Sequence, residues 1–540
     1  MKTLPYRNPV VPGFHPDPSV CRVGPDFYLV VSSFEFFPGL PVFHSTNLVN
    51  WEPISFAWHR ESQFDMAGAG ASRGLFAPTI RFHAGEFFIT VTDVSGTGNC
   101  ILRSGTPYGP WSDPVPVAQG GIDPSLFFDD DGTAFFCTNA EVDGSTGIAL
   151  SVINPVTGAL RSPVRHICAG TGGRWPEAPH LYKFDGLYYL MLAEGGTEYG
   201  HMETLFRSES PWGPYTPCPT NPVLSHRDAV SNPVQCTGHA DIVDDGAGNL
   251  WAVFLGVRTL PGVLLHNLGR ETFLSPVVQD AAGWFSIGNG GIVGLEMEGP
   301  LPGEARPYTR DWKPSYIEGK RDPHWCFVRG FDASLIHFDC TDAAVRLAFG
   351  PDISTPSGLY ALALRRQEGF LCEFSARVEF PARIYAADEN SGKNSGVRAG
   401  LTAYYNDSYH YDIFVYRDGV CGTNDPWRLG VSKRIHDMEA VVASVDLPES
   451  LLQVGGSGLA AVDFRIRSDT EWYVFEWKAG GTGWAELGRG KTAGLCTEGT
   501  YHMSFTGVLF GVFASGCLNF FGSEPDYPVS FSDCAYTERD

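Results

Sequence analysis

Apolar and polar positions alternate along the first three hundred residues in short runs, and none sustains a capped helical period. One unit recurs: a small residue or Asp, usually followed by Pro, then an apolar strand, a Gly turn, and a second strand rich in aromatic residues. Its copies begin at Asp17 (DPSVCRVGPDFYLVVSS), Ala77 (APTIRFHAGEFFITVTD), Asp123 (DPSLFFDDDGTAFFCTNA), Ala178 (APHLYKFDGLYYLMLAEGG) and His239 (HADIVDDGAGNLWAVFLGV), at spacings of 60, 46, 55 and 61 residues. Alternation, β-branched and aromatic residues, and Gly or Asp-Gly at the bend predict a hairpin in each copy. A second motif, a Ser followed by a turn and an aromatic residue, keeps step with the first through Ser45, Ser104 and Ser208. Five units of about four strands each predict a five-bladed β-propeller. A large irregular sandwich would also space its strands evenly and is the alternative.

The repeat stops near residue 303. The Pro- and charge-rich stretch 304–325 reads as a linker. Beyond it, alternating runs such as LCEFSARVEF, AAVDFRIRSDTEWYVFEWKAGG and YHMSFTGVLFGVFA predict a β-sandwich of concanavalin-like kind over 326–540. The expectation is an all-β chain with a propeller over 1–303 and a sandwich after it. A length of 540 residues suits that division.

Composition narrows the partners. Lys and Arg total 38 against 61 Asp and Glu, a net charge of −23, which repels phosphate backbones and argues against nucleic acid. The longest apolar runs, such as Leu187 to Ala193, are strand-sized, so no membrane helix is expected. The first residues, MKTLPYRNPVVPGFHPDPS, lack the apolar core of a secretory signal, which points to a cytoplasmic protein. The 13 cysteines include no C-x-x-C pair, and Cys137, Cys326 and Cys372 lie among apolar neighbours as small core residues.

The propeller reading has a chemical consequence. The start of each blade's innermost strand lies beside the central axis, so Asp17, Ala77, Asp123, Glu177 and His239, at or just before those starts, converge. An Asp before Pro is ordinarily a turn residue. Two identical Asp-Pro-Ser triplets in register with Glu177 favour chemistry instead. Crowded carboxyls raise the pKa of one and leave another ionised, the arrangement that glycoside hydrolysis uses. The acidic runs Asp129 to Gly132 and Asp244 to Gly246 lack the remaining spacing of a calcium loop and read as hairpin turns. His239 reads either as a core histidine or as a ligand to something on the axis. Phe34, Phe36, Phe37 and Phe76 could supply an apolar wall for a sugar.

At this point the motifs NPVVPGFHPDPSVCRVGPDFYLVVSSFEFFPG, GGIDPSLFFDDDG, WPEAPHLYK, AEGGT, GHADIV and LGRETF resemble those of glycoside hydrolase family 43, specifically its two-domain β-xylosidase and α-L-arabinofuranosidase branch. The resemblance covers essentially the whole chain. It implies an inverting, exo-acting hydrolase releasing xylose or L-arabinose from xylo-oligosaccharides or arabino-substituted fragments. It makes Asp17 the general base, Glu177 the general acid and Asp123 the carboxylate that tunes and orients the acid. Arg270 would hold sugar hydroxyls, and His239 would approach a calcium ion or water on the axis. The chemistry itself would require no cofactor. Phe34, Ala77 and Thr197 would line the sugar site, with Phe76 and Ile122 standing where many relatives carry Trp and Phe, and Phe510 would reach it from the sandwich. A homo-oligomer is compatible with the resemblance. A retaining fructosidase is disfavoured because its Asn-Asp-Pro-Asn motif is missing. A non-catalytic sugar-binding propeller would be expected to have lost a carboxylate, and all three are present.

Overall fold

A computed structural model describes residues 3–307, 310–381, 396–417, 426–448, 451, 459–500, 504–516 and 527–539. The chain divides into two compact units. The first comprises Met1–Met66, Ser72–Leu264 and Gly269–Tyr308, and the second comprises Ala67–Ala71, Leu265–Leu268 and Thr309–Asp540.

The first unit is the five-bladed propeller. Each blade is an antiparallel sheet whose strands follow in chain order from the axis outward. The innermost strands are Ser19–Val23, Thr79–His83, Ile122–Phe128, Glu177–Phe184 and Val234–Asp244, one at each repeat start. The hairpins bend where Asp-Gly or Ala-Gly pairs supply two left-handed residues, as at Asp185 and Gly186 (φ 50° and 79°), which matches the twist of the flanking strands. The acidic runs are hairpin turns as well, each with one left-handed glycine, Gly132 (φ 83°) and Gly246 (φ 76°). Asp129 accepts Lys183 Nζ at 2.7 Å and Tyr188 Oη at 2.6 Å, and Asp244 accepts Arg22 Nη2 at 2.6 Å.

Adjacent blades bury a shared apolar layer. Met191, Leu205, Phe254 and Phe273 pack between the fourth and fifth, and Phe27, Leu29, Trp251 and Val253 pack between the fifth and first. The ring closes through the N-terminal segment. Leu4–Arg7 pairs with Glu296–Gly299, and the Asn8 side chain both donates to Leu274 O (2.9 Å) and accepts from Leu274 N (2.9 Å).

The axis is filled by a polar cluster. The Asp241 carboxylate of the fifth blade, fully buried, accepts Arg81 Nη1 at 2.7 Å and Nη2 at 3.1 Å from the second blade. It also accepts Ser19 Oγ at 2.6 Å and Val20 N at 3.0 Å from the first, and Tyr182 Oη at 2.7 Å from the fourth. Burial alone would raise the Asp241 carboxyl, but Arg81 holds it well below the usual carboxylate range. His180 stands beside the pair, and burial pushes its ring down to about 3 against the pull of Asp241. Its Nδ1 lies 3.0 Å from Arg81 Nη2, and a guanidinium only donates, so Nδ1 accepts and the ring is neutral.

The second unit is the β-sandwich. One sheet has seven strands with Cys372–Pro381 and Leu459–Ser468 at its centre, and the other has six, running from Leu362–Arg366 to Met438–Asp446. The expected linker 304–325 contains the boundary between the two units, at residues 308 and 309. Glu304 O accepts Asn47 Nδ2 (2.9 Å) within the propeller. Trp312 exchanges two backbone bonds with Tyr536 (2.8 and 2.9 Å), and both Trp312 and Trp325 are buried. Asp322 fixes that entry by accepting Ser315 N at 2.8 Å and Trp312 Nε1 at 3.2 Å. Trp312 and Trp325 therefore belong to a core, which the charges and prolines around them conceal in the sequence, whereas Ile317 is exposed. Phe510 is corrected: it is completely buried in the sandwich, with its ring stacked on Phe374 at 5.9 Å, and presents no surface to a sugar. Among the described residues every free cysteine but Cys340 is buried, and no helix is long and apolar enough to cross a membrane.

Removing Arg81 strands a buried carboxylate, which typically costs about 3–5 kcal/mol. Arg81→Met should lower the unfolding free energy of the propeller by that amount at pH 7. The gap should narrow as the pH falls, because acid neutralises the stranded Asp241 in the variant and dissolves the ion pair in the parent. Urea titrations of both proteins at several pH values measure it. A gap independent of pH would contradict the assignment.

Candidate active site

The repeat starts share an unusual backbone. Asp17, Asp123, Ala178 and His239 have φ of 55°, 54°, 51° and 53°, in the left-handed region that costs non-glycine residues on the order of 1–3 kcal/mol. Asp and His tolerate that region better than most residues. Ala178 has no such tolerance, and its N–H is held by Asp123 Oδ2 at 3.1 Å. Ala77, at the equivalent position of the second blade, is buried without this strain.

Asp17 is buried and fully engaged. Its Oδ1 accepts Arg270 Nη1 at 2.8 Å, and its Oδ2 accepts Ser32 Oγ in a short bond. His239 Nδ1 lies 3.7 Å from Oδ1. The chain around Asp17 is clamped to the chain around Arg270. Gly13 N donates to Glu271 Oε1 (2.7 Å), His15 N to Arg270 O (3.1 Å), and Thr272 Oγ1 to His15 O (2.7 Å). Glu271 is fixed in turn by Arg258 at 2.7 and 2.8 Å. Arg270 also donates to Thr197 Oγ1 at 3.2 Å and lies 5.6 Å over the Phe34 ring. Phe34 packs on Phe76 with ring centroids 5.3 Å apart.

Glu177 is half-buried on a backbone held from both sides. Asn139 Nδ2 donates to Pro176 O at 2.5 Å, and the next N–H, that of Ala178, goes to Asp123. Ile122, beside Asp123, pairs with Asn139 across the third blade. Burial, reinforced by the charges of Asp123 and Asp17 against that of Arg270, pushes the Glu177 carboxyl up to about 8. Asp123 is raised as well, by burial first, with Asp17 adding and His239 opposing. One carboxyl is thus protonated at neutral pH while another is ion-paired to a guanidinium, the division of roles that acid–base catalysis needs.

The carboxylate nearest His239 is taken up by Arg270 and Ser32, and the axial carboxylate Asp241 by Arg81. Among the described residues no three His, Cys, Asp or Glu side chains gather as metal ligands.

The structure therefore brings Asp17, Asp123, Glu177, His239, Arg270, Thr197, Phe34 and Phe76 together, with Ala77 and Ile122 as their chain neighbours, and leaves Phe510 in the sandwich core. Sequence reasoning missed Ser32, Asn139 and Glu194. Glu194 is buried, is held by Thr204 Oγ1 (2.7 Å) of the neighbouring strand, and gathers the loop before Glu177 by accepting Thr171 N (2.9 Å) and Gly173 N (3.2 Å). All three lie 15 or 16 residues after a repeat start, as does Asp93 in the second blade. That polar position, where each hairpin returns to the axis, is the signal that marks them. His201 was also missed. Its Nδ1 meets Cys236 O at 2.9 Å, and burial pushes its ring down to about 4.

Comparison with known proteins decides the lineage. The family model for glycosyl hydrolases family 43 matches residues 6–285, enclosing every residue of the site, and that for the β-xylosidase C-terminal concanavalin A-like domain matches residues 315–531. The chain belongs to glycoside hydrolase family 43. Family 43 relatives include a non-reducing end α-L-arabinofuranosidase, BoGH43B, of Bacteroides ovatus, 37% identical over 95% of this chain and 91% of its own. Xylosidase/arabinosidase 43B of Humicola insolens is 32% identical over 94% of each. Among solved family 43 structures, the GH43B protein of a Bacteroides ovatus xyloglucan locus aligns over 100% of both chains with a TM-score of 0.85 at 35% identity. A xylan β-1,4-xylosidase of Bacillus halodurans aligns over 99% of this chain and 100% of its own with a TM-score of 0.85 at 29% identity.

The elevated Glu177 carboxyl is directly measurable. In protein carrying ¹³C-labelled glutamate, one side-chain carboxyl should titrate near pH 8 and vanish in Glu177→Gln. Asp123→Asn removes a charge that raises it, so the midpoint should move to lower pH. A midpoint that stays put or rises would remove Asp123 from the cause.

Proposed function

We propose that this enzyme removes single β-xylosyl or α-L-arabinofuranosyl residues from the non-reducing ends of xylan- and arabinoxylan-derived oligosaccharides, with inversion at the anomeric carbon. The observation that carries this reading is the split between Glu177, pushed up to about 8, and Asp17, ion-paired to Arg270 at 2.8 Å. Asp17 takes a proton from water as its oxygen attacks the anomeric carbon. On the opposite face the bond to the leaving oxygen breaks, and Glu177 delivers the proton that oxygen needs. Asp123 keeps Glu177 protonated through its charge and fixes its backbone through the Ala178 N–H. Water is the sole co-reactant in this scheme.

Arg270 and Thr197 supply polar contacts to sugar hydroxyls, and Phe76, backed by the buried Phe34, supplies the wall. Polar contacts of this kind suit either pentose. The wall discriminates weakly, by about 1–3 kcal/mol per group, which supports activity on both sugars. A chain of net charge −23 also suits a neutral oligosaccharide better than a polyanion.

Inversion requires room for a water between base and sugar, with the two carboxyls roughly 6.5–9.5 Å apart. Proton NMR of the first product formed should show the anomer opposite to that of the substrate. Retention would remove Asp17 from its role as base.

The roles separate by leaving group. A general acid contributes about 10²–10⁴-fold when the departing oxygen is basic. Glu177→Ala should lose that much on a xylo-oligosaccharide and far less on a dinitrophenyl glycoside, whereas Asp17→Ala should lose alike on both. Equal losses for the two variants on both substrates would reject this division.

A further inference from the structure

Trp175 combines two unusual features. It is 48% exposed, although tryptophan is usually largely buried. Its φ is 49°, a left-handed value that bulky side chains rarely adopt. Strain of this kind persists where the surroundings enforce it, and it clusters at functional sites.

Its surroundings do enforce it. Gly195 N donates to Arg174 O at 2.8 Å, and the indole lies so close to Gly196 that a methyl group there would come within 2.8 Å of the ring. The loop just before is gathered on the Glu194 carboxylate through Thr171 and Gly173. Two chain neighbours tie the indole to the chemistry. On one side Glu177 follows two residues later. On the other, Thr197 follows Gly196 and meets Arg270 at 3.2 Å, and Arg270 holds Asp17. An exposed aromatic plane therefore stands at the rim of the site on the loop of the acid itself. That is the side to which a proton must be delivered, and so the side where the departing sugar lies. The Arg174 guanidinium, also exposed, stacks 4.0 Å from the indole and brings five N–H donors to the same place.

We propose that Trp175 and Arg174 form the binding subsite for the leaving-group sugar. The C–H face of a neutral pyranose packs on the indole, and its hydroxyls accept hydrogen bonds from the guanidinium. This rests on the hydrolase reading above and extends it from the sugar that is released to the one left behind. Aromatic and cation contacts of this sort act on binding, so the effect belongs in KM.

Steady-state kinetics of Trp175→Ala and Trp175→Phe on xylotriose and on β-xylopyranosyl fluoride test it, since the fluoride has no leaving sugar. Trp175→Ala should lose at least tenfold in kcat/KM on xylotriose, chiefly through KM, and less than threefold on the fluoride. Trp175→Phe should recover most of the loss. Parallel losses on both substrates, or none on xylotriose, would overturn the subsite. A second measurement does not depend on turnover. In Glu177→Gln protein, xylotriose should change the tryptophan fluorescence, and that change should disappear when Trp175→Phe is added. A change that persists places the sugar elsewhere. If the parent enzyme cleaves neither substrate while the fluorescence change still requires Trp175, the xylosidase half of the reading above fails and the subsite stands.

Discussion

The buried pair of Arg81 and Asp241 is the constraint on which the propeller depends. Five blades can each satisfy their own backbone, but their inner strands must also meet one another along the axis. A single carboxylate solves this by accepting from the first, second and fourth blades at once, and the guanidinium opposite it cancels the charge that burial would otherwise penalise. The inner strands are thereby locked in register. The residues at the starts of those strands, Asp17, Asp123, Ala178 and His239, inherit their positions from that lock.

The site uses the same physics with a different balance. On the axis, cation and anion are matched and both stay ionised. At the strand starts, three carboxyls share one arginine, and that arginine sits on Asp17. The remaining two are buried without a full counter-charge, so the free energy of the site is lowered when a proton is kept. Glu177, half-buried where a substrate can reach it, holds that proton. Acid and base are thus distinguished by where one guanidinium is placed, and its placement follows from the backbone clamp between residues 13–15 and 270–272.

Much of this was legible in the sequence because propellers repeat. The register of five hairpins located the inner strands, and the residues at their starts named the carboxyls and His239. What the repeat did not display were residues whose role depends on contacts between blades. Arg81 and Asp241 look like ordinary charged strand residues, and only the closed ring makes them partners across 160 positions of chain. Ser32, Asn139 and Glu194 were hidden for a milder reason: they mark the far end of a hairpin whose near end drew attention. Phe510 was misplaced because an isolated aromatic residue in an alternating run carries no sign of which sheet face it occupies, and here it faces Phe374 in the sandwich core. In the stretch 304–325 the buried tryptophans, Trp312 and Trp325, are few among many charges, so the alternation of a core segment does not show.

The N-terminal clamp also orders events in time. Gly13 finds its partner Glu271 only 258 residues further along the chain. At about 5–20 residues per second, the ribosome takes on the order of ten to fifty seconds to cover that distance. For that interval the segment leading into Asp17 has no blade to rest on, while the four blades after it are already being made. The segment leading into Asp17 is therefore among the last to settle, and the hydrolytic centre cannot assemble on a partly made ring. A nascent chain released before the fifth blade would expose the apolar flank of its first blade, so the fragment would be marked for removal by the same gap that keeps it inactive.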